Sequence, residues 1–173
     1  MLLKLTGAVL VVAAGAAVGL YYSMLDVFRA QNLSEFRKAL LILASEIEYI
    51  ALPLPEAVCG TVARTTGFVR RLFSDFAEQL RDNRGETASD LWAASLNRYK
   101  NDGFLTPEDW EMLASLGRNL GCLDKQMQLN NIRLAADYIE NILPGLRDTG
   151  EKNKRMYRSL GVLGGMLLAV VIW

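Results

Sequence analysis

The chain has 173 residues, room for one domain or for one domain carrying membrane anchors. Its 19 Lys+Arg balance 19 Asp+Glu and it holds no histidine. This excludes general electrostatic attraction to nucleic acid, His-based catalytic triads and His-ligated zinc. Cys59 and Cys122 stand far apart with no Cys-x-x-Cys spacing, so neither a disulfide framework nor a thiolate metal site is expected. An apolar fraction of 51% against 22% charged is high for a soluble domain, and the excess lies at the two ends.

Leu5–Leu25 is a run of 21 residues without a charge. As a helix it measures about 31 Å, matching a hydrocarbon core of roughly 30 Å. A cleaved signal peptide is the competing reading, with Ala14-Gly15-Ala16 as the small-residue cleavage site. The stretch is long for such a segment and only Lys4 precedes it, which favours a retained span. At the other end Ser159–Trp173 is uncharged over 15 residues. With Met156 and Tyr157 added and Arg158 snorkelling, the apolar helix reaches about 27 Å, and Trp173 suits the far interface.

The expected organisation is therefore an N-terminal transmembrane helix at 1–25, a cytoplasmic helical domain at 26–155 and a C-terminal transmembrane helix at 156–173. Arg29, Arg37, Lys38, Arg147, Lys152, Lys154, Arg155 and Arg158 flank the spans on the middle side, against Lys4 alone on the other. By the positive-inside rule both termini lie outside and the middle is cytoplasmic. Gly15-x-x-x-Gly19 and Gly161-x-x-x-Gly165 are candidate packing sites between membrane helices, within one chain or between copies. Membrane lipid is an expected partner; self-association is an open one.

Residues 26–158 carry 18 basic and 19 acidic side chains, a mixed and nearly neutral surface. Ser34–Ala51 places Phe36, Leu40, Leu43, Ile47 and Ile50 on one helical face. Pro53-Leu54-Pro55 ends it, and Pro55 followed by Glu56 suits the first turn of a short helix reaching about Thr65. Val69, Leu72, Phe73, Phe76 and Leu80 form the next stripe, and Asp82–Glu86 is a polar turn. A helix over Thr87–Tyr99 turns Ala88, Leu91, Trp92, Ser95, Leu96 and Tyr99 inward and breaks at Asn101-Asp102-Gly103. Thr106-Pro107-Glu108-Asp109 combines a hydroxyl cap, proline at the first position and two carboxylates in the first turn. Trp110, Leu113, Ala114, Gly117 and Leu120 share a face of that helix, and Gly121 ends it. Asp124 opens the last one, which runs through Met127, Leu134, Ala135, Tyr138, Ile139 and Ile142 to Pro144-Gly145. No segment alternates as a strand does. The fold class is all-α, a bundle of about six helices between the two spans.

No catalytic constellation is found, and no phosphate-binding glycine loop. Glu46 and Glu48 are two apart and face different ways on a helix. Glu108, Asp109 and Glu111 are explained by the helix field, and the cysteines by packing. An enzyme is not expected, nor a metal or cofactor.

Several blocks together resemble the stage III sporulation protein AB family of endospore-forming bacteria, over essentially the whole chain. They are Met1–Leu10, Pro53–Ala57, Leu116–Gly121 with Asp124 and Gln128, and Lys154–Gly165, the last being the most specific. Cys122 stands where a small polar residue is expected, and Pro144-Gly145 interrupts the helix leading to the second span. The resemblance implies a component of a channel complex in the mother-cell membrane facing the forespore, working with other membrane proteins of that complex. It also implies similarity to the inner-membrane platform proteins of type II secretion and type IV pilus machines, with a cytoplasmic domain that docks a hexameric secretion-type ATPase. The candidate docking residues are Pro53, Pro55, Glu56, Gly117, Arg118, Gly121, Asp124 and Gln128, although helix punctuation accounts for each of them equally well. Two other readings use the same features: a membrane-anchored adaptor or regulator unrelated to secretion, and an exported helical protein whose first segment is cleaved.

Overall fold

In the computed structural model the described residues are 24–82, 85–100, 102–118, 120–121, 124–148 and 156. Six α-helices are found among the described residues and no strand: α1 (Leu2–Glu48), α2 (Leu54–Ala63), α3 (Gly67–Arg81), α4 (Ala88–Arg98), α5 (Pro107–Gly117) and α6 (Lys125–Ile172). The chain divides into two compact units, Gln31–Leu143 and Met1–Ala30 with Pro144–Trp173. In the latter, Met24, Val27 and Phe28 of α1 and Met156 of α6 expose apolar side chains. Residues 5–23 and 157–173, which carry most of both expected spans and Gly15, Gly19, Gly161 and Gly165, lie outside the described residues. Among the described residues no helix is long and apolar enough to cross a membrane.

The unit Gln31–Leu143 is the helical bundle. Leu33, Phe36, Leu40, Leu43 and Ile47 of α1 are buried at spacings of three and four, and so are Leu129, Ile132, Ala136, Ile139 and Leu143 of α6. Each makes the apolar stripe of a helix lying on a core, and each fully buried Leu or Ile contributes about 1.5–3 kcal/mol. Arg37 meets Glu140 at 2.5 Å and Arg133 pairs with Glu48, so within this unit α1 and α6 run antiparallel. The chain therefore enters and leaves the bundle at one end. The loop after α1 and the turn before α6 lie together at the other, where Lys125 Nζ donates to the Glu48 carbonyl at 3.1 Å.

The shorter helices form where the sequence punctuates them. Thr87 caps α4 by accepting from the Asp90 N–H. Thr106 and Asp109 form a reciprocal capping box on α5, with Thr106 N–H donating to Asp109 Oδ2 at 2.9 Å. That capping role occupies the fully buried Asp109 carboxylate. Phe68, Val69, Leu72, Phe73, Phe76, Ala77 and Leu80 of α3 are buried as one stripe.

Two stripes differ from the expected ones. Ile50 is exposed because α1 ends at Glu48 and the following loop turns it outward. On α6, Met127, Leu134 and Tyr138 face solvent, with Leu134 67% exposed. The buried face is set by Leu129 and Ile132, and Leu134 falls on the opposite side of the same turns. Pro144 lies inside α6, which continues past it with the single i→i−4 bond that proline cannot donate missing.

Trp92 sits at the centre of the core. Its ring packs edge-on against Phe73 at 5.5 Å and Phe76 at 5.1 Å, and its Nε1 donates to the Leu113 carbonyl at 2.8 Å. Gly117 lies directly against it: a Cβ there would stand 2.0 Å from Trp92 Cδ1. Gly117→Ala is expected to destabilise the bundle by about 1–3 kcal/mol through overpacking, read as a lower denaturant midpoint with an unchanged slope.

Candidate partner-docking site

The loop end of the bundle is built from two chain reversals. After α1, the Leu52 N–H folds back to the Glu46 carbonyl at 3.2 Å, and Ala51 takes φ +56°, a left-handed conformation that disfavours any Cβ. Pro53, with φ −58° and ψ 153°, then starts α2, placing Pro55 and Glu56 in its first turn. After α5, Gly121 has φ +79° and lies against Ala88, whose Cβ would be 2.9 Å from an added Cβ. Asp124 opens α6 by accepting from the Gln126 N–H at 2.9 Å. Asn131 reaches back from α6 to donate to the Leu116 carbonyl at 3.0 Å, tying the end of α5 to α6.

Between the reversals lies a notch of about 300 Å³. Ile47, Ala51, Leu52, Pro53 and Leu54 form one wall, and Gly121, Lys125 and Gln128 the other. Gln128 is 7% exposed, and its Nε2 is sealed from solvent with no hydrogen-bond partner. A buried donor left unmade costs about 1–3 kcal/mol, so this amide is held in place at the expense of stability. The lining contains one ionisable side chain, Lys125, and no carboxylate. Lys125 is the first residue of α6, where the helix field already favours negative charge. The neighbouring acids are engaged elsewhere: Asp124 caps α6 and Glu48 pairs with Arg133, whose pKa is raised further by that hydrogen bond and charge.

The structure distributes the expected docking residues unevenly. Pro53, Gly121 and Gln128 line the notch. Asp124 adjoins it in sequence, Glu56 is exposed and Pro55 half-buried on the first turn of α2, and Arg118 is exposed where α5 ends. Gly117 is buried under Trp92, where packing accounts for it. Lys125 and Leu54 were not singled out by sequence, although Leu54 stands between the two prolines that were. Elsewhere, Glu46 pairs with Arg64 at 3.1 Å and Glu48 with Arg133, two separate ion pairs. No group of three potential metal ligands occurs among the described residues. Cys59 is half-buried with an Arg81 N–H 3.4 Å from its sulfur, and Cys122 lies outside the described residues. A wider groove of about 550 Å³ between α4 and α5 carries Lys100 and Glu111.

The family model for stage III sporulation protein AB matches residues 4–173. Stage III sporulation protein AB of Bacillus subtilis (strain 168) is 32% identical over 171 residues, spanning 99% of each chain. A solved structure of a stage III sporulation protein AB superposes with a TM-score of 0.65 at 27% identity, covering 72% of this chain and 97% of that one.

Ala51→Gly is expected to stabilise the protein by about 0.5–1 kcal/mol, the relief of left-handed strain exceeding the extra freedom of the unfolded chain. A rise in melting temperature checks it; a fall contradicts the strained geometry.

Proposed function

This chain belongs to the stage III sporulation protein AB family, and we propose that it is a non-enzymatic platform component of a secretion-like channel complex in the mother-cell membrane facing the forespore. In this reading residues 1–25 and 156–173 span the membrane, both termini lie outside, and the bundle is cytoplasmic. The bundle docks a hexameric secretion-type ATPase and the membrane segments associate with other proteins of the complex. The observation that carries the reading is the family match over residues 4–173, which takes in both apolar ends together with the bundle between them.

Physical features of the bundle support a docking role. Its charged side chains are spread as separate ion pairs with no set of groups arranged to move protons or bind a cofactor, and exposed pairs of this kind add little to stability. The loop end keeps a buried donor unsatisfied at a place where folding alone gains nothing from it. Glu56 in the first turn of α2 and Arg118 at the end of α5 are both exposed and both able to meet a partner.

Charge reversal tests the docking. The full chain is solubilised from membranes with the ATPase encoded alongside it, and Glu56→Lys and Arg118→Glu are compared with the unaltered chain. Loss of ATPase co-purification with unchanged helicity and melting temperature is expected for at least one variant. Full retention of the ATPase by both removes these turns from the contact.

A further inference from the structure

We infer that the notch between the two loops receives an acidic side chain of the docking partner, its carboxylate accepting from the Lys125 ammonium and from the Gln128 amide, whose side chain turns its unpaired Nε2 out of its sealed position to meet the carboxylate. The identity of the partner as the ATPase rests on the function proposed above; the chemistry of the contact comes from the notch itself.

Three observations converge on a carboxylate. Gln128 is more than nine-tenths buried, lines the notch, and has an Nε2 with no acceptor among the described residues. The only charged side chain of the lining is a cation, so both polar side chains of the lining can donate. Lys125 also opens a long helix whose amino end adds positive potential to the same place. The two acids next to the notch are engaged elsewhere, the Asp124 carboxylate accepting from the Gln126 N–H and the Glu48 carboxylate pairing with Arg133. The walls contributed by Ile47, Leu52 and Leu54 are apolar, which excludes water around the contact and strengthens a charge-assisted bond. The volume of about 300 Å³ is at the small end for ligand clefts and suits an inserted side chain better than a free cofactor.

The two donors can be removed separately. Gln128→Leu replaces the unpaired amide with an apolar group of similar size, so the melting temperature is expected to hold or rise. Affinity for the ATPase is expected to fall about tenfold or more, as for loss of a hydrogen bond to a charged group. Lys125→Glu puts a carboxylate where the helix field favours one, so helicity is expected to be kept while binding falls by a similar factor. Both are measured on the full chain in lipid nanodiscs titrated with purified ATPase. A folded Gln128→Leu chain that binds within twofold of the unaltered one overturns the inference and leaves the platform reading standing. If Gln128→Leu does not fold, Lys125→Glu decides by the same twofold criterion. Failure of the unaltered chain to bind ATPase overturns both the inference and the docking role it rests on.

Discussion

The packing of Trp92 is the contact on which the rest of the bundle depends. Its indole meets Phe73 and Phe76 of α3, hydrogen-bonds the Leu113 carbonyl of α5, and rests on Gly117 at the end of that helix. An indole N–H buried this deeply needs an acceptor, and the Leu113 carbonyl is one that α5 can present only at a fixed height and rotation. Phe73 in turn packs on Phe36 of α1 at 6.1 Å, and Phe36 on Phe68 at 5.8 Å. One aromatic cluster thus sets α1, α3, α4 and α5 against each other.

The position of the notch follows from that cluster. With the end of α5 held under Trp92, the chain must reverse at once, and Gly121 supplies the left-handed step that a side chain would obstruct. Asn131 then holds α6 to the same end of α5, which brings Gln128 and Lys125 opposite the loop leaving α1. The unpaired Gln128 amide and the strained Ala51 are local losses, each of about the size of one buried side chain's contribution, carried by a core that holds many such side chains. Stability is surrendered at the loop end, where the bundle presents a notch whose lining, among the described residues, carries a lysine and no carboxylate.

Much of this was legible in the sequence because it is local. The capping box at Thr106–Asp109, the proline-flanked start of α2, the polar start at Asp124 and the α3 stripe are decided by residues a few positions apart. The α6 stripe was read in part: Ala135 and Ile139 are buried as expected, whereas Met127, Leu134 and Tyr138 are exposed, because they are as apolar as the buried residues and only contact with the core distinguishes them. Periodicity put Gly117 on the apolar face of its helix, but not what it packs against, because the indole that needs its space is 25 residues earlier in the chain. Pro53, Gly121 and Gln128 were singled out by the sequence, but nothing local indicates that they line one notch, that Gln128 is buried or that its amide lacks a partner. The apolar ends, read from composition alone, lie outside the described residues.

Family membership makes the chain a sporulation protein. The central claim is that this bundle faces the cytosol, since only there can an ATPase reach the loop end. With Cys59 and Cys122 replaced by serine and Asp82→Cys introduced on an exposed turn, a membrane-impermeant thiol reagent reports the side directly. The account predicts labelling only after the cells are lysed. Labelling of intact cells would place the bundle outside and contradict it.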